Sequence, residues 1–125
     1  MFQKPFSGFS VDDANAAREF YTDVLGLDVR EENPGFLSLV LDGDTAVLMY
    51  EKEDHQPASF TVLNLPVDDV TAAVRELAGK GVEFLHYDGT PQDELGVMSG
   101  QGPDIAWFTD PAGNVLSVIQ HEGDA

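Results

Sequence analysis

VDDANAAREFYTDVLGLDV, residues 11–29, opens a pattern that the chain writes twice. Its beginning, Val11–Ala17, returns as VDDVTAA at Val67–Ala73, 56 residues on, and Arg18-Glu19-Phe20 is echoed, one residue displaced, by Arg75-Glu76-Leu77. Farther along, DGDTAVL at residues 42–48 parallels DPAGNVL at residues 110–116, each a turn sequence leading into an apolar run. Matches that recur in the same order mark two copies of one module.

Each copy reads alike. An alternating run leads: Phe6, Phe9 and Val11 among Ser and Gly in the first copy, Phe60–Leu65 in the second. The pairs Asp12-Asp13 and Asp68-Asp69 follow, suited to cap a helix N-terminus and to meet its dipole. Ala17, Phe20, Tyr21, Val24 and Leu25 then fall at helical spacing, as do Val70, Ala73, Val74, Leu77 and Ala78, so each helix carries one apolar stripe. Gly26 and the pair Gly79 and Gly81 sit where a helix end takes a left-handed residue. Three strands are predicted after each helix: Leu27–Glu32, Phe36–Leu41 and Ala46–Glu51, then Val82–Tyr87, Ile105–Thr109 and Val115–His121.

The predicted fold class is therefore α+β, two βαβββ modules in tandem within a single domain, residues 1–125. Module 1 runs over about 4–51, a polar linker over 52–57 and module 2 over about 58–121. Asp88–Pro103 is the one long loop, Gly-rich and acidic, a lid or binding loop as readily as solvated slack. The tail Glu122–Ala125 is expected to fray.

Six Lys+Arg against 23 Asp+Glu give a formal net charge of −17, which leaves no basic patch for nucleic acid or an anionic membrane. The acids divide 12 to 11 between residues 1–57 and 58–125. That even spread reads as a solvated acidic surface before it reads as a field concentrating a cationic ligand, though both readings stay open. The absence of Cys removes disulfides, thiolate zinc sites and cysteine nucleophiles together. No apolar run approaches the ~18–20 residues of a membrane span, and MFQKPFSGFS lacks a signal-peptide core, so a cytoplasmic protein is expected.

Two stretches carry a family resemblance. FYTDVLGLDV, Phe20–Val29, resembles the helix-end signature of the vicinal oxygen chelate superfamily, and DPAGNVLSV, Asp110–Val118, resembles its Asp-Pro-x-Gly-Asn turn before the last strand. That superfamily includes glyoxalase I, extradiol dioxygenases, fosfomycin resistance enzymes and bleomycin resistance proteins. The resemblance, over residues 4–121, implies paired βαβββ modules whose sheets curl around a cleft, commonly completed in a homodimer. Both stretches are architectural and leave the chemistry open.

Metal-dependent members bind one divalent ion from the first and last strand of each module. The resemblance places those positions on Phe6 and Val62, near Met49, and on Ser117. None is a ligand that such ions select. Moving by two residues, which keeps the face of a strand, offers Gly8, Asn64, Glu51 and Ile119, a single carboxylate. A non-standard site from His121, His86 and Glu51 is the alternative, and with it a metal-dependent lyase or dioxygenase. No nucleophile elbow, phosphate loop or dinucleotide fingerprint is present, and Asp12-Asp13 and Asp68-Asp69 read as helix caps.

Alternation turns Phe9, Val11, Leu48, Tyr50, Leu63, Leu65, Leu116 and Val118 toward the helices. It turns Phe6, Gly8, Ser10, Val47, Met49, Glu51, Val62, Asn64, Ser117 and Ile119 the other way, with Phe36 and Trp107 as further aromatic walls. Apolar walls with scattered hydrogen-bonding groups are the composition of a ligand pocket. The candidate ligand-binding residues are therefore Phe6, Gly8, Ser10, Phe36, Met49, Glu51, Val62, Asn64, Trp107 and Ser117. No catalytic residue, metal or cofactor is expected. By resemblance to the bleomycin resistance branch, the expected function is metal-free binding of a planar or cationic, antibiotic-like small molecule by a homodimer. A partner domain whose cleft its own side chains fill is the third possibility.

Overall fold

The computed structural model describes residues 1–43 and 45–122. Asp44 of the first turn and residues 123–125 of the tail lie outside the described residues. The chain divides into two units, Met1–Pro57 and Ala58–Ala125.

In the first unit, strand β1 (Ser7–Val11) leads into helix α1 (Ala14–Glu19), which continues as a π-helical turn over Phe20–Val24. Strands β2 (Asp28–Asn33), β3 (Phe36–Val40) and β4 (Ala46–Glu51) follow, giving a sheet of order β1-β4-β3-β2 in which β1 lies parallel to β4. Asp13, extended at φ −144°, caps α1 by accepting the Ala16 N–H at 3.1 Å. The π turn closes with Leu25 N–H on Phe20 O, and Gly26, at φ 72°, lets the chain leave it.

In the second unit, strand β5 (Thr61–Val67) leads into helix α2 (Val70–Gly79), with β6 (Ile105–Thr109) and β7 (Val115–Gln120) completing a sheet of order β5-β7-β6. Asp69 caps α2 as Asp13 caps α1, accepting the Ala72 N–H at 3.0 Å. The expected strand over Val82–Tyr87 does not form as a ladder. It touches β6 through the Phe84–Phe108 bridge and the Leu85 N–H on Trp107 O, 2.8 Å. The reason is the Gln92 carboxamide, which accepts the Tyr87 N–H at 2.7 Å and donates to Leu85 O at 2.9 Å. Those two groups sit on the edge that a continued ladder would use.

Gln92 also organises the long loop, donating to Gly96 O at 2.9 Å, while Asp93 Oδ1 accepts the Leu95 and Val97 N–H groups. Val97 is buried beneath it, and Met98 bridges back to Ile105. The segment is thus pinned from within at both ends.

Each helix covers one face of its own sheet, α1 packing on β3 and β4 and α2 on β6 and β7. Phe9, Val11, Leu37, Leu39, Val47 and Met49 fill the first interface with Ala17 and Tyr21, the Phe9 and Tyr21 rings 6.3 Å apart. Leu63, Ala106, Phe108, Leu116 and Val118 fill the second with Val70 and Val74. At roughly 1.5–3 kcal/mol for each large apolar side chain buried, these two interfaces supply most of the driving force for folding.

Candidate ligand-binding site

The face of each sheet turned away from its helix holds the polar and aromatic residues. In the second unit the strand registers align Asn64 with Ser117 and Ser117 with Trp107, so these three form one row across β5, β7 and β6. Ser117, completely buried, donates to Asn64 Oδ1 at 2.5 Å. Beyond Trp107 stands Tyr87, edge-on to the indole with ring centroids 5.5 Å apart. Pro66, Ile119 and Ile105 make the adjoining apolar row. Next to it a depression of about 210 Å³ is lined by Pro66, Ile119, Gln120, His121 and Glu122. The arrangement offers a half-buried aromatic wall at one end and an amide with a hydroxyl at the other, without a charge in the row.

In the first unit the corresponding rows are Ser10, Tyr50 and Phe36, then Gly8, Leu48, Ser38 and Arg30. Gly8 belongs to a crowded spot, since a Cβ there would meet Leu48 O at 3.2 Å. Arg30, the one cation of this face among the described residues, pairs with Asp28 at 3.1 Å. Ser10 Oγ lies 2.6 Å from His55 Nδ1, a contact closed over 45 residues. Asp54, next to His55, is engaged by Lys52 at 2.7 Å. Their mutual hydrogen bond and charge hold the Lys52 ammonium above its ordinary pKa and the Asp54 carboxyl below its own. A second depression, about 750 Å³ and wide open, runs along the start of β1 and β4 between Lys4, Phe6, Ser7, Thr45 and Val47.

The candidate residues therefore separate. Gly8, Ser10 and Phe36 share the open face of the first sheet, and Asn64, Ser117 and Trp107 that of the second. Phe6 stands just before β1, 69% exposed, in the larger depression. Val62 is the extra residue of a bulge between Thr61 and Leu63. Two expectations are corrected. Met49, with no exposed surface, pairs with Phe9 and Leu37 on the helix side, Val47 faces the same way opposite Ser7 and Leu39, and Leu48 and Tyr50 occupy the open face. Glu51, at the end of β4, shares the helix side with Met49 and accepts the Ala14 N–H at 3.0 Å, a second cap on α1 that removes the only carboxylate expected on the open face.

The cause of the reversal is a slip of one residue in the internal repeat. Leu41 N–H donates to Thr45 O where Asp110 N–H donates to Asn114 O, an offset of 69, whereas matching Asp42 with Asp110 sets 68. Leu48 is thus the counterpart of Ser117 and Met49 that of Val118, and one residue exchanges the faces of a strand. Tyr87, Tyr50 and His55 were absent from the expected set. Tyr50 follows once the register is right, whereas no local pattern marks the other two.

The four positions at which the superfamily holds its metal become Phe6, Leu48, Val62 and Ser117, one hydroxyl among three apolar side chains. That donor set does not fit a divalent ion. Among the described residues, no group of three or more His, Asp or Glu is placed to hold one elsewhere.

The family model for the Glyoxalase/Bleomycin resistance protein/Dioxygenase superfamily matches residues 7–118, and the chain belongs to that superfamily. Among solved structures it is similar to TnmS3, an antibiotic binding protein from Streptomyces sp. CB03234, at 28% identity and a TM-score of 0.67, covering 98% of this chain and 99% of that one. A glyoxalase/bleomycin resistance protein from the same Streptomyces is 29% identical with a TM-score of 0.60, covering 93% of this chain and 100% of that one. A member of the superfamily from Sphaerobacter thermophilus DSM 20745 shares the fold at 23% identity, with a TM-score of 0.71 and coverage of 97% and 98%. Among curated proteins none matches. No helix among the described residues is long and apolar enough to cross a membrane.

Proposed function

We propose that the chain is a metal-independent binding protein for an uncharged, planar, antibiotic-like small molecule, acting as a homodimer in the cytoplasm. The observation that carries this reading is the row Asn64–Ser117–Trp107, continued by Tyr87, on the open face of the second sheet. An aromatic ring system lies against Trp107, and its carbonyl or hydroxyl edge reaches Asn64, whose N–H groups donate while Ser117 holds the amide oxygen. Planarity is favoured because a flat ligand loses little conformational freedom on stacking. Neutrality is favoured because the row itself carries no charged side chain to pair with a ligand's charge. The antibiotic binding protein among the similar structures supports sequestration as the role.

Isothermal titration with acridone, a neutral planar heterocycle, and with proflavine, its cationic counterpart, tests the reading. Acridone is expected to bind more tightly than proflavine, equally well with or without EDTA. Binding that EDTA abolishes, or a preference for proflavine, overturns it. Trp107→Leu is expected to weaken acridone about tenfold, the worth of ~1.4 kcal/mol of stacking.

A further inference from the structure

Of the serines on the open faces, Ser10 and Ser117 are each hydrogen-bonded to a side chain far away in the sequence of its own unit. Ser117 Oγ donates to Asn64 Oδ1, an amide oxygen that takes up no proton near neutral pH. Ser10 Oγ faces His55 Nδ1 at 2.6 Å, and imidazole is the side chain best suited to take one up. That distance falls within the roughly 2.6–3.2 Å that joins an activated hydroxyl to its general base.

The surroundings suit the role. Ser10 and His55 are both half-buried, which restrains water without closing the site. Ser10 lies on β1 in the row with Tyr50 and Phe36, whose rings form one wall. Two residues back along the same face, Gly8 presents no side chain. The imidazole is carried on a fixed backbone, because His55 N–H donates to Lys52 O at 3.1 Å. Asp54, beside His55, is committed to Lys52.

We propose that Ser10 and His55 form a nucleophile and base that accept an acyl group from an activated aryl ester, a second activity independent of planar-ligand binding. With the imidazole proton on Nε2, the Nδ1 lone pair receives the Ser10 Oγ proton as Oγ attacks the ester carbonyl carbon. The new Oγ–C bond forms, the C–O bond to the aryloxide breaks, and the imidazolium returns its proton to the departing oxygen, giving a phenol and acyl-Ser10. Water, deprotonated by His55, then attacks the acyl carbon; the Oγ–C bond breaks, the imidazolium passes its proton to Ser10 Oγ, and a carboxylic acid leaves with Ser10 and neutral His55 restored. No redox change or metal is involved.

The test uses 4-nitrophenyl acetate on the intact chain, with 4-nitrophenolate release followed by absorbance and the acetyl group located by peptide mass spectrometry. The expected result is a burst approaching one equivalent, with the acetyl group on Ser10 and Ser117 unmodified. Ser10→Ala abolishes the burst, and His55→Gln, checked for folding by its melting curve, slows it about 100-fold or more, the usual worth of a general base. No burst, acetylation at Lys or the N-terminus in place of Ser10, or an unchanged rate in His55→Gln overturns the proposal. Mapping the adduct on the unsubstituted chain decides the matter even if a variant fails to fold.

Discussion

The two units are built from one pattern and differ where a ligand would meet them. Both start with a strand and an Asp-capped helix, and both turn Phe9, Met49 or Leu63, Val118 toward that helix. On the open face the first unit carries Gly8, Leu48 and Ser38 where the second carries Asn64, Ser117 and Trp107. The helix side of a duplicated module tolerates little change, because each substitution there alters a packed volume. The open face is free to differ, and the row Asn64–Ser117–Trp107 has no match of the same residue types in the first unit.

The largest effect with which to challenge this comparison is on the register itself. Met49→Ala is expected to cost about 2–5 kcal/mol in denaturant unfolding, because it empties a fully buried position. Leu48→Ala, on the open face, is expected to cost less than half of that. The reverse order would place β4 the other way round and restore Met49 to the ligand side.

A smaller effect compares the caps. Asp69→Ala is expected to cost about 1 kcal/mol, since its carboxylate is the side-chain partner of the first turn of α2. Asp13→Ala is expected to cost less, because Glu51 still holds the Ala14 N–H. Adding Glu51→Ala to Asp13→Ala should bring the loss up to that at Asp69. Equal costs for the two single Asp variants would remove Glu51 from the capping role assigned to it.

These contrasts show where the fold was legible. Asp13 and Asp69 act within three residues of themselves, so a local signature was enough to place both helix starts. The βαβββ order of the first unit followed from the repeat, and the second unit keeps it but for the strand expected after α2. The face of β4 was not legible, because Asp and Gly recur in both turns and the best string match lay one residue from the structural one. Val82–Tyr87 has the composition of a strand, and only the Gln92 side chain, which sequence cannot orient, explains its single bridge. In the candidate site, alternation put Asn64 and Ser117 on one face, whereas Trp107 was singled out only as a large planar ring. His55 was not, because its contact with Ser10 spans 45 residues and follows no period.

The smallest expected effect concerns the charge, divided evenly between the units. With −17 overall, like-charge repulsion opposes the folded state, so added NaCl should raise the melting temperature through screening. The gain should stay near or below about 1 kcal/mol, the scale of exposed charge interactions. Acridone affinity, by contrast, should be unchanged by the same salt, because the row that binds it is uncharged.

Trp107 is the single tryptophan of the chain, so its emission reports on that row and nowhere else. Titrating acridone while following Trp107 fluorescence tests the central claim most directly. The account predicts saturable quenching whose midpoint equals the calorimetric affinity and shifts about tenfold or more to higher concentration in Asn64→Leu, which deletes the polar end of the site at a cost of roughly 1–3 kcal/mol. Calorimetric binding that leaves Trp107 emission unchanged would contradict it, because the ligand would then lie elsewhere.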